Sequence, residues 1–517
     1  MKKRCMSKAL IVLAFAAYLC VSGRYGLEIN GEQVHALDTE MDFKAGSVKE
    51  EPAVTQRTEN QPKRNDLTEA FHVILDGATK EFIAGYAIEE SFLMWLNARY
   101  GEEIIIDTAY CVLDGDMSEE FWYEKTGNSM HVLWLLFCQD SGFQNERLER
   151  VYWQNTKTDS EVIISFTGDF NFAEDWCTTE YMKAQPNGIE DCFSAELLEQ
   201  MRGSDILIMN NEFTYVEEHR ADALAGKAYA FRAEPKMVEL LSVFGADAVN
   251  LANNHVYDYG KTGLLDTMQH LQDAKIPYVG AGANMNEASE ILYYVANGRK
   301  IAVVSATQIE RTTQYTREAT RTEAGVLKTL KPEKFMQVIA EADAHSDYVI
   351  AVTHWGTEGT LYPEASQRIL AERFIEAGAD AIIGGHPHRL QGIGYMQGVP
   401  IAYSIGNFWF SDGTLYTTLA QVIISEDGNL GMRFLPCEQK NMVTSLLTEQ
   451  EEKDGFYHYL AAISMNIGLD AEGNAYDKEA EGYPADRIAY DSETSTTQIR
   501  GMSDNEGNAI DIVGNRK

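Results

Sequence analysis

The residues best suited to chemistry in this chain are Asp169, Glu212, Asn254, His255, Asp258, His354, His386 and His388, gathered just beyond short apolar runs. His386 and His388 stand two apart in Gly384-Gly385-His386-Pro387-His388. A loop opening there can turn both imidazoles toward one centre, and neutral imidazole is the commonest metal-ligand side chain. Taken singly, each residue has an ordinary reading. Asp169 after Gly168 suits a turn, Glu212 a solvated loop, and Asn253-Asn254-His255 a cap for a helix opening near Gly260. His354 beside Trp355 suits a packed core histidine. Their joint occurrence at the ends of buried runs in one region points to a metal centre. Mixed oxygen and nitrogen donors suit Mn, Fe or Zn better than Ca.

Side chains so far apart in sequence converge only if the elements carrying them end at one edge. Buried strands are expected at Glu161 to Asp169, Ile206 to Met209, Ala248 to Ala252, Ile301 to Ser305, Tyr348 to Val352 and Ala381 to Ile383. Helices are expected at Pro235 to Phe244, Gly260 to Ala274, Pro332 to Ala344 and Pro363 to Ala377. Their alternation is the mark of parallel βαβ packing, in which ligands collect at strand C-termini. Ile401 to Ile405, Gln421 to Ile424 and Gly431 to Leu435 read as antiparallel closing strands.

At 517 residues the chain exceeds one ordinary core, and its 45% hydrophobic content supports more than one domain. The net charge of -36 repels nucleic acid and anionic lipid at long range, so no nucleic-acid partner is expected. Lys2-Lys3-Arg4 followed by the apolar run Ala9 to Val21 reads as a signal peptide or N-terminal membrane anchor over 1–27, which places the body outside the cytoplasm. Residues 28–65 read as a disordered tether, and 66–158 as a small α/β module of unknown role. In that module Ile88 to Leu96 looks helical, while Glu103 to Ile106 and His131 to Phe137 look like strands. The main domain is expected over 159–440 and a C-terminal extension over 441–517, largely disordered after about 469. Cys177 and Cys192 could close a loop or remain buried thiols.

The order Gly168-Asp169, Asn254-His255, His354, Gly385-His386-Pro387-His388 resembles the calcineurin-like metallophosphoesterase superfamily. More narrowly, Asn210-Asn211-Glu212, Asn253 to Gly260, His354 to Glu358, and Tyr403 to Phe408 resemble the CapA branch, the poly-γ-glutamate capsule synthesis proteins. The resemblance covers about Glu161 to Leu435 and implies a four-layer αββα sandwich holding one or two divalent metals. It implies Glu212 as the bridging carboxylate, Asn254, His354 and His386 at one metal, and Asp169 and His388 at the other. His255 would be the general acid and Asp258 its partner, acting with metal-bound hydroxide. Asn171 stands where the superfamily has histidine, a weak ligand in place of a strong one, and Glu212 stands where phosphatases use Asp.

Arg311, Arg317 and Arg321 form either a basic lid matched to an anionic substrate or an exposed loop with ordinary charges. Two functions follow from the resemblance. One is an extracytoplasmic metal-dependent hydrolase or transferase, acting on a cell-wall phosphodiester or a γ-glutamyl polymer. The other is a non-catalytic polymer-binding or export component working with capsule-synthesis membrane partners.

Overall fold

The computed structural model describes residues 90–114, 118, 120–142, 150–158, 160–312 and 314–499. The expected leader and tether lie outside these residues. The chain divides into two compact units between Glu149 and Arg150.

The N-terminal unit corrects the sequence reading. Its described residues form α1 (Glu90–Tyr100), α2 (Glu102–Asp114), α3 (Glu120–Thr126) and α4 (Met130–Ser141), so both expected strands are helix and the described module is helical rather than α/β. Gly101, at φ 84°, separates α1 from α2, whose first turn carries Glu102 and Glu103 against the positive end of the helix dipole. The Ser129 hydroxyl caps α4 by accepting from Val132 N–H at 3.3 Å, and Gly142 ends it in the left-handed region. Between these caps Met130 to Leu135, Phe137 and Cys138 are all buried. A helix apolar on most of its circumference shows no period that separates it from a buried strand. Phe92 lies 5.6 Å from Trp134 and 5.4 Å from Phe137 between ring centroids, a packed aromatic core.

The second unit is a sandwich of two sheets. The first has seven strands in the order β1 (Val151–Trp153), β9 (Leu292–Ala296), β10 (Arg299–Thr307), β12 (Tyr348–His354), β13 (Ala381–Gly385), β15 (Val399–Ala402) and β14 (Ile393–Met396). The other runs β19 (Val443–Leu446), β18 (Leu430–Lys440), β17 (Leu415–Ser425), β2 (Glu161–Phe170), β3 (Ile206–Asn211), β6 (Ala248–Asn250) and β7 (Tyr278–Val279), with β16 (Asn407–Trp409) pairing β2. Short ribbons flank them: β4 (Thr214–Tyr215) with β5 (Arg232–Ala233), β8 (Ala281–Gly282) with β11 (Gly325–Val326), and β20 (Ile467–Leu469) with β21 (Ala475–Asp477) and β22 (Tyr490–Asp491).

Strand alternation builds the layers. Along β10, Ile301 and Val303 point between the sheets, while Ala302, Val304 and Ala306 point outward beneath α7 (Glu333–Ala344) and α8 (Ala365–Glu376). The other sheet's outer face packs under α5 (Ala195–Gly203) and α6 (Gly260–Asp273), completing the αββα order. Each Ile, Val or Leu buried between the sheets contributes roughly 1.5–3 kcal/mol of transfer free energy.

Several boundaries differ from the sequence reading. Val151–Trp153 pairs with Leu292–Ala296, so the sandwich begins before 159. Val399–Ala402 is antiparallel to β14, as expected, but runs parallel to β13 on its other side. The described chain from 441 to 499 belongs to the sandwich unit. Phe456, Tyr457 and Leu460 of α9 (Gln450–Ile463), with Ile467, Leu469 and Tyr490, enter the core between the sheets, and α10 (Ser492–Ile499) follows. Sparse aliphatics hid this ordered segment, because large aromatic rings supply much of its buried surface. Cys177 and Cys192 are free thiols.

Candidate metal centre

Both sheets end at this site. From one, β2 delivers Asp169, Glu212 follows β3 directly, and the loop after β6 carries Asn254, His255 and Asp258. From the other, β12 ends on His354, and β13 leads into His386 and His388. Two glycines allow the close approach this requires. A Cβ on Gly168 would lie 2.0 Å from the Gly406 carbonyl oxygen, and one on Gly384 would lie 2.0 Å from that of Tyr403. Both histidines of the last loop occupy the left-handed region, His386 at φ 97° and His388 at φ 57°. Such conformations cost on the order of 1–3 kcal/mol each and concentrate at functional sites.

Ligand-type atoms of Asp169, Glu212 and His354 lie within 4.8 Å of one another, as do those of Glu212, His386 and His388. Glu212 is common to both groups, the position of a bridging carboxylate. Asp169 Oδ2, Glu212 Oε1 and His386 Nδ1 are buried and make no well-directed hydrogen bond, although His388 Nδ1 lies 3.1 Å from the first and His354 Nε2 3.4 Å from the second. Poorly satisfied buried polar atoms are costly, and all three belong to residues of the two overlapping groups. Their donor set of carboxylate oxygen and imidazole nitrogen fits a divalent transition ion.

The electrostatics show the same frustration. Burial and the Asp169 charge push the Glu212 carboxyl well above its ordinary value. Burial also opposes ionisation of Asp169, but His388 and His354 overcome it and hold that carboxyl low. Burial pushes His354 down to about 3 and, with the neighbouring imidazoles, holds His386 well below its ordinary value. Burial lowers His388 too, but Asp169 and Asn407 outweigh it and raise the ring. Neutral His354 and His386 facing crowded carboxylates are the state a cation would bind.

Asn254 Oδ1 lies 2.8 Å from His354 Nε2, so this pair also meets at the site. His255 stands apart from the ligand groups. Its Nδ1 lies 2.8 Å from Asp258 Oδ2, which also accepts from Phe231 N–H at 2.7 Å. A carboxylate accepts only, so Nδ1 carries the hydrogen and Nε2 is the atom left for chemistry. Burial lowers the His255 pKa, with Asp258 opposing.

Several contributors carried no role in the sequence reading. Asn210 donates to Asp169 Oδ1 at 2.7 Å and to Glu212 Oε2 at 3.3 Å, while its own oxygen accepts from Asn250 at 3.0 Å. One amide thus orients both carboxylates. Asn407, placed opposite Asp169 by the β16–β2 pairing, sets its oxygen 2.7 Å from His388 Nδ1. Lys227 reaches in from a loop to Asp258 and to the Asn254 carbonyl. Asn210 stood two residues before Glu212, and Asn407 within the Tyr403 to Phe408 motif, which was their available signal. Lys227 had none.

Other expectations are redirected. The Asn171 oxygen accepts from Ala173 N–H at 2.8 Å, so the atom that could have ligated a metal instead shapes the loop. The Asn253 side chain caps no helix. Its oxygen accepts from His255 N–H and Val256 N–H at 3.0 Å, holding the turn that presents His255. Arg311 is no free lid, because its guanidinium pairs with Glu364 at 2.6 Å and donates to the Gly356 carbonyl at 2.8 Å. Arg317 and Arg321 lie exposed on the same loop.

A four-layer αββα sandwich with a histidine–carboxylate cluster at its strand ends is of the metallophosphoesterase-like class. Within it, the sequence model described as "Bacterial capsule synthesis protein PGA_cap" matches residues 163–412. The "PGA biosynthesis protein CapA" of Bacillus subtilis is 34% identical over 282 residues, covering 53% of this chain and 70% of that protein. The "Capsule biosynthesis protein CapA" of Bacillus anthracis is 31% identical over 269 residues, covering 50% of this chain and 64% of that protein, just under two thirds of its length. The chain belongs to the CapA family. A solved hypothetical protein from Thermus thermophilus covers 54% of this chain and 99% of its own at 14% identity, but with a TM-score of 0.35 the likeness is too weak to add to the fold.

Proposed function

We propose that this chain is an extracytoplasmic, metal-dependent hydrolase or transferase of capsule-polymer synthesis, acting on a phosphoester or a γ-glutamyl polymer. The two overlapping groups of buried ligand-type side chains, Asp169, Glu212 and His354 with Glu212, His386 and His388, carry the reading. Asp169, Glu212, Asn254, His354, His386 and His388 would hold one or two ions of Mn, Fe or Zn. A divalent ion in such a site supplies Lewis acidity and acidifies water. His255 lies outside the ligand groups, with Asp258 fixing its ring, and is placed to pass a proton through Nε2 to a leaving oxygen or nitrogen. The capsule role rests on family membership. The location rests on the basic and apolar N-terminal sequence, which lies outside the described residues. Among those residues, no helix is long and apolar enough to cross a membrane.

A second reading, a non-catalytic polymer-binding or export component, is favoured by one observation, the diversion of Asn171 to Ala173. Metal content per chain, measured with Mn-supported turnover of bis(p-nitrophenyl) phosphate in wild type and His255→Gln, separates the two. Metal-dependent turnover that collapses in the variant supports the hydrolase. Bound metal without phosphoester turnover directs the assay to poly-γ-glutamate. Inability to retain metal after loading sinks the metal-centre reading.

A further inference from the structure

Lys227 lies on the loop between β4 and β5, within the run Ala223-Leu224-Ala225-Gly226-Lys227-Ala228-Tyr229-Ala230, which has no chemical signature of its own. Its side chain is 6% exposed, a rare fate for lysine unless paired. The ammonium donates to Asp258 Oδ1 and to the backbone carbonyl of Asn254, with Glu310 Oε1 at 3.4 Å. The loop is pinned on both sides. Leu224 N–H donates to the Asp258 carbonyl at 2.8 Å, and Tyr315 Oη donates to the Gly226 carbonyl at 2.7 Å. Thr316 Oγ1 adds a second donor to the Asn254 carbonyl at 3.0 Å.

The arrangement divides the Asp258 carboxylate between two tasks. One oxygen takes the Lys227 ammonium, and the other takes Phe231 N–H and His255 Nδ1–H. Fixed at both oxygens, the carboxylate has little freedom to rotate, so the imidazole it holds has little freedom either. The same ammonium grips the backbone of Asn254, whose side chain faces His354. We propose that Lys227 is a positioning residue of the centre, its ammonium bridging the Asn254 carbonyl and the Asp258 carboxylate so that the His255 ring and the Asn254 side chain are set relative to one another. The catalytic part of this rests on the hydrolase reading above. The geometric part stands without it.

The test uses the full-length chain in two independent arms. In the first, the imidazole N–H proton of His255 is identified by proton NMR as the downfield signal missing from His255→Gln. It is expected in wild type, absent in Lys227→Ala, and restored when n-propylammonium refills the space. In the second, Mn-supported phosphodiester turnover is measured. Lys227→Ala is expected to lower kcat by about 10²-fold, in line with a small misplacement of a catalytic group, with KM changed far less. In a His255→Gln background the same substitution is expected to cost clearly less than in wild type, because only its hold on Asn254 is left to lose. Lys227→Arg, which keeps the buried charge, serves if the alanine variant does not fold, and it should shift the proton signal. A His255 signal unchanged in every folded Lys227 variant overturns the proposal, as does an undiminished kcat loss on the His255→Gln background. Absence of turnover in wild type overturns the hydrolase reading instead, and the NMR arm then decides the role of Lys227 alone.

Discussion

Asn254 and His354, 100 positions apart and carried by different sheets, meet with Asn254 Oδ1 2.8 Å from His354 Nε2. His354 is 1% exposed and held neutral by burial, so this contact is the satisfied state of an imidazole that has no water to turn to.

Asn254→Ala therefore has two effects. Without metal it leaves His354 Nε2 unpartnered and should cost about 1–3 kcal/mol, read from urea unfolding in chelator. With metal it should weaken Mn affinity roughly tenfold or more, read by titration calorimetry. Unchanged affinity would remove Asn254 from the ligand set.

At His386, φ is 97°, a conformation that favours glycine. Both His386→Gly and His386→Ala delete the imidazole and its unpartnered Nδ1, so their difference isolates backbone strain. The glycine variant should be the more stable by about 1 kcal/mol, the reverse of the usual Ala–Gly order. Neither should retain metal as wild type does. Chemical denaturation and metal analysis of the two proteins check both points.

Gly168 has no room for a methyl group, since a Cβ would sit 2.0 Å from the Gly406 oxygen that accepts from Asp169 N–H at 2.9 Å. Gly168→Ala should destabilise by about 3 kcal/mol through forced separation of the two segments. It should also lose metal, because Asp169 moves with the backbone. A variant with wild-type stability and metal content would show that this contact yields easily.

Lys328 gives a pH signature outside the ligand groups. Its ammonium donates to the carbonyls of Glu310 at 2.6 Å, Thr316 at 3.1 Å and Thr312 at 3.3 Å, and burial lowers its pKa to about 8. The folded value lies below the 10.5 of an ordinary lysine, so between them the unfolded chain binds the proton more tightly. Stability contributed at this position should therefore rise with pH from about 8 to about 10.5. Urea midpoints across that range, compared between wild type and Lys328→Met, should show the rise only in wild type.

The strand-end residues were legible because a buried strand followed at once by Asp, Glu or His is a pattern confined to a few positions. The supporting residues were harder. Asn210 and Asn407 act through side-chain amides whose partners are set by strand pairing, and Lys227 reaches Asp258 from a loop that no local pattern aims there. The helical unit was misread at Glu103–Ile106 and His131–Phe137 because a short, largely buried apolar run shows too little of a polar face to reveal its period. The described part of the segment after 469, as far as Ile499, was misread as disordered for a related reason. Its anchors, Ala475 and Tyr490, are few and widely spaced, and they acquire meaning only from the groove that receives them.

Because Asp169 and Glu212 come from one sheet and His354, His386 and His388 from the other, neither half of the sandwich holds more than a fragment of a coordination sphere. On the metal-centre reading, a chain clipped between Glu212 and His354, or one whose sheets have failed to close face to face, would lose its grip on an ion even if each half kept its own strands. Metal content would then be a certificate of assembly: in a preparation of this protein, the fraction of chains carrying an ion would count those in which both halves have met.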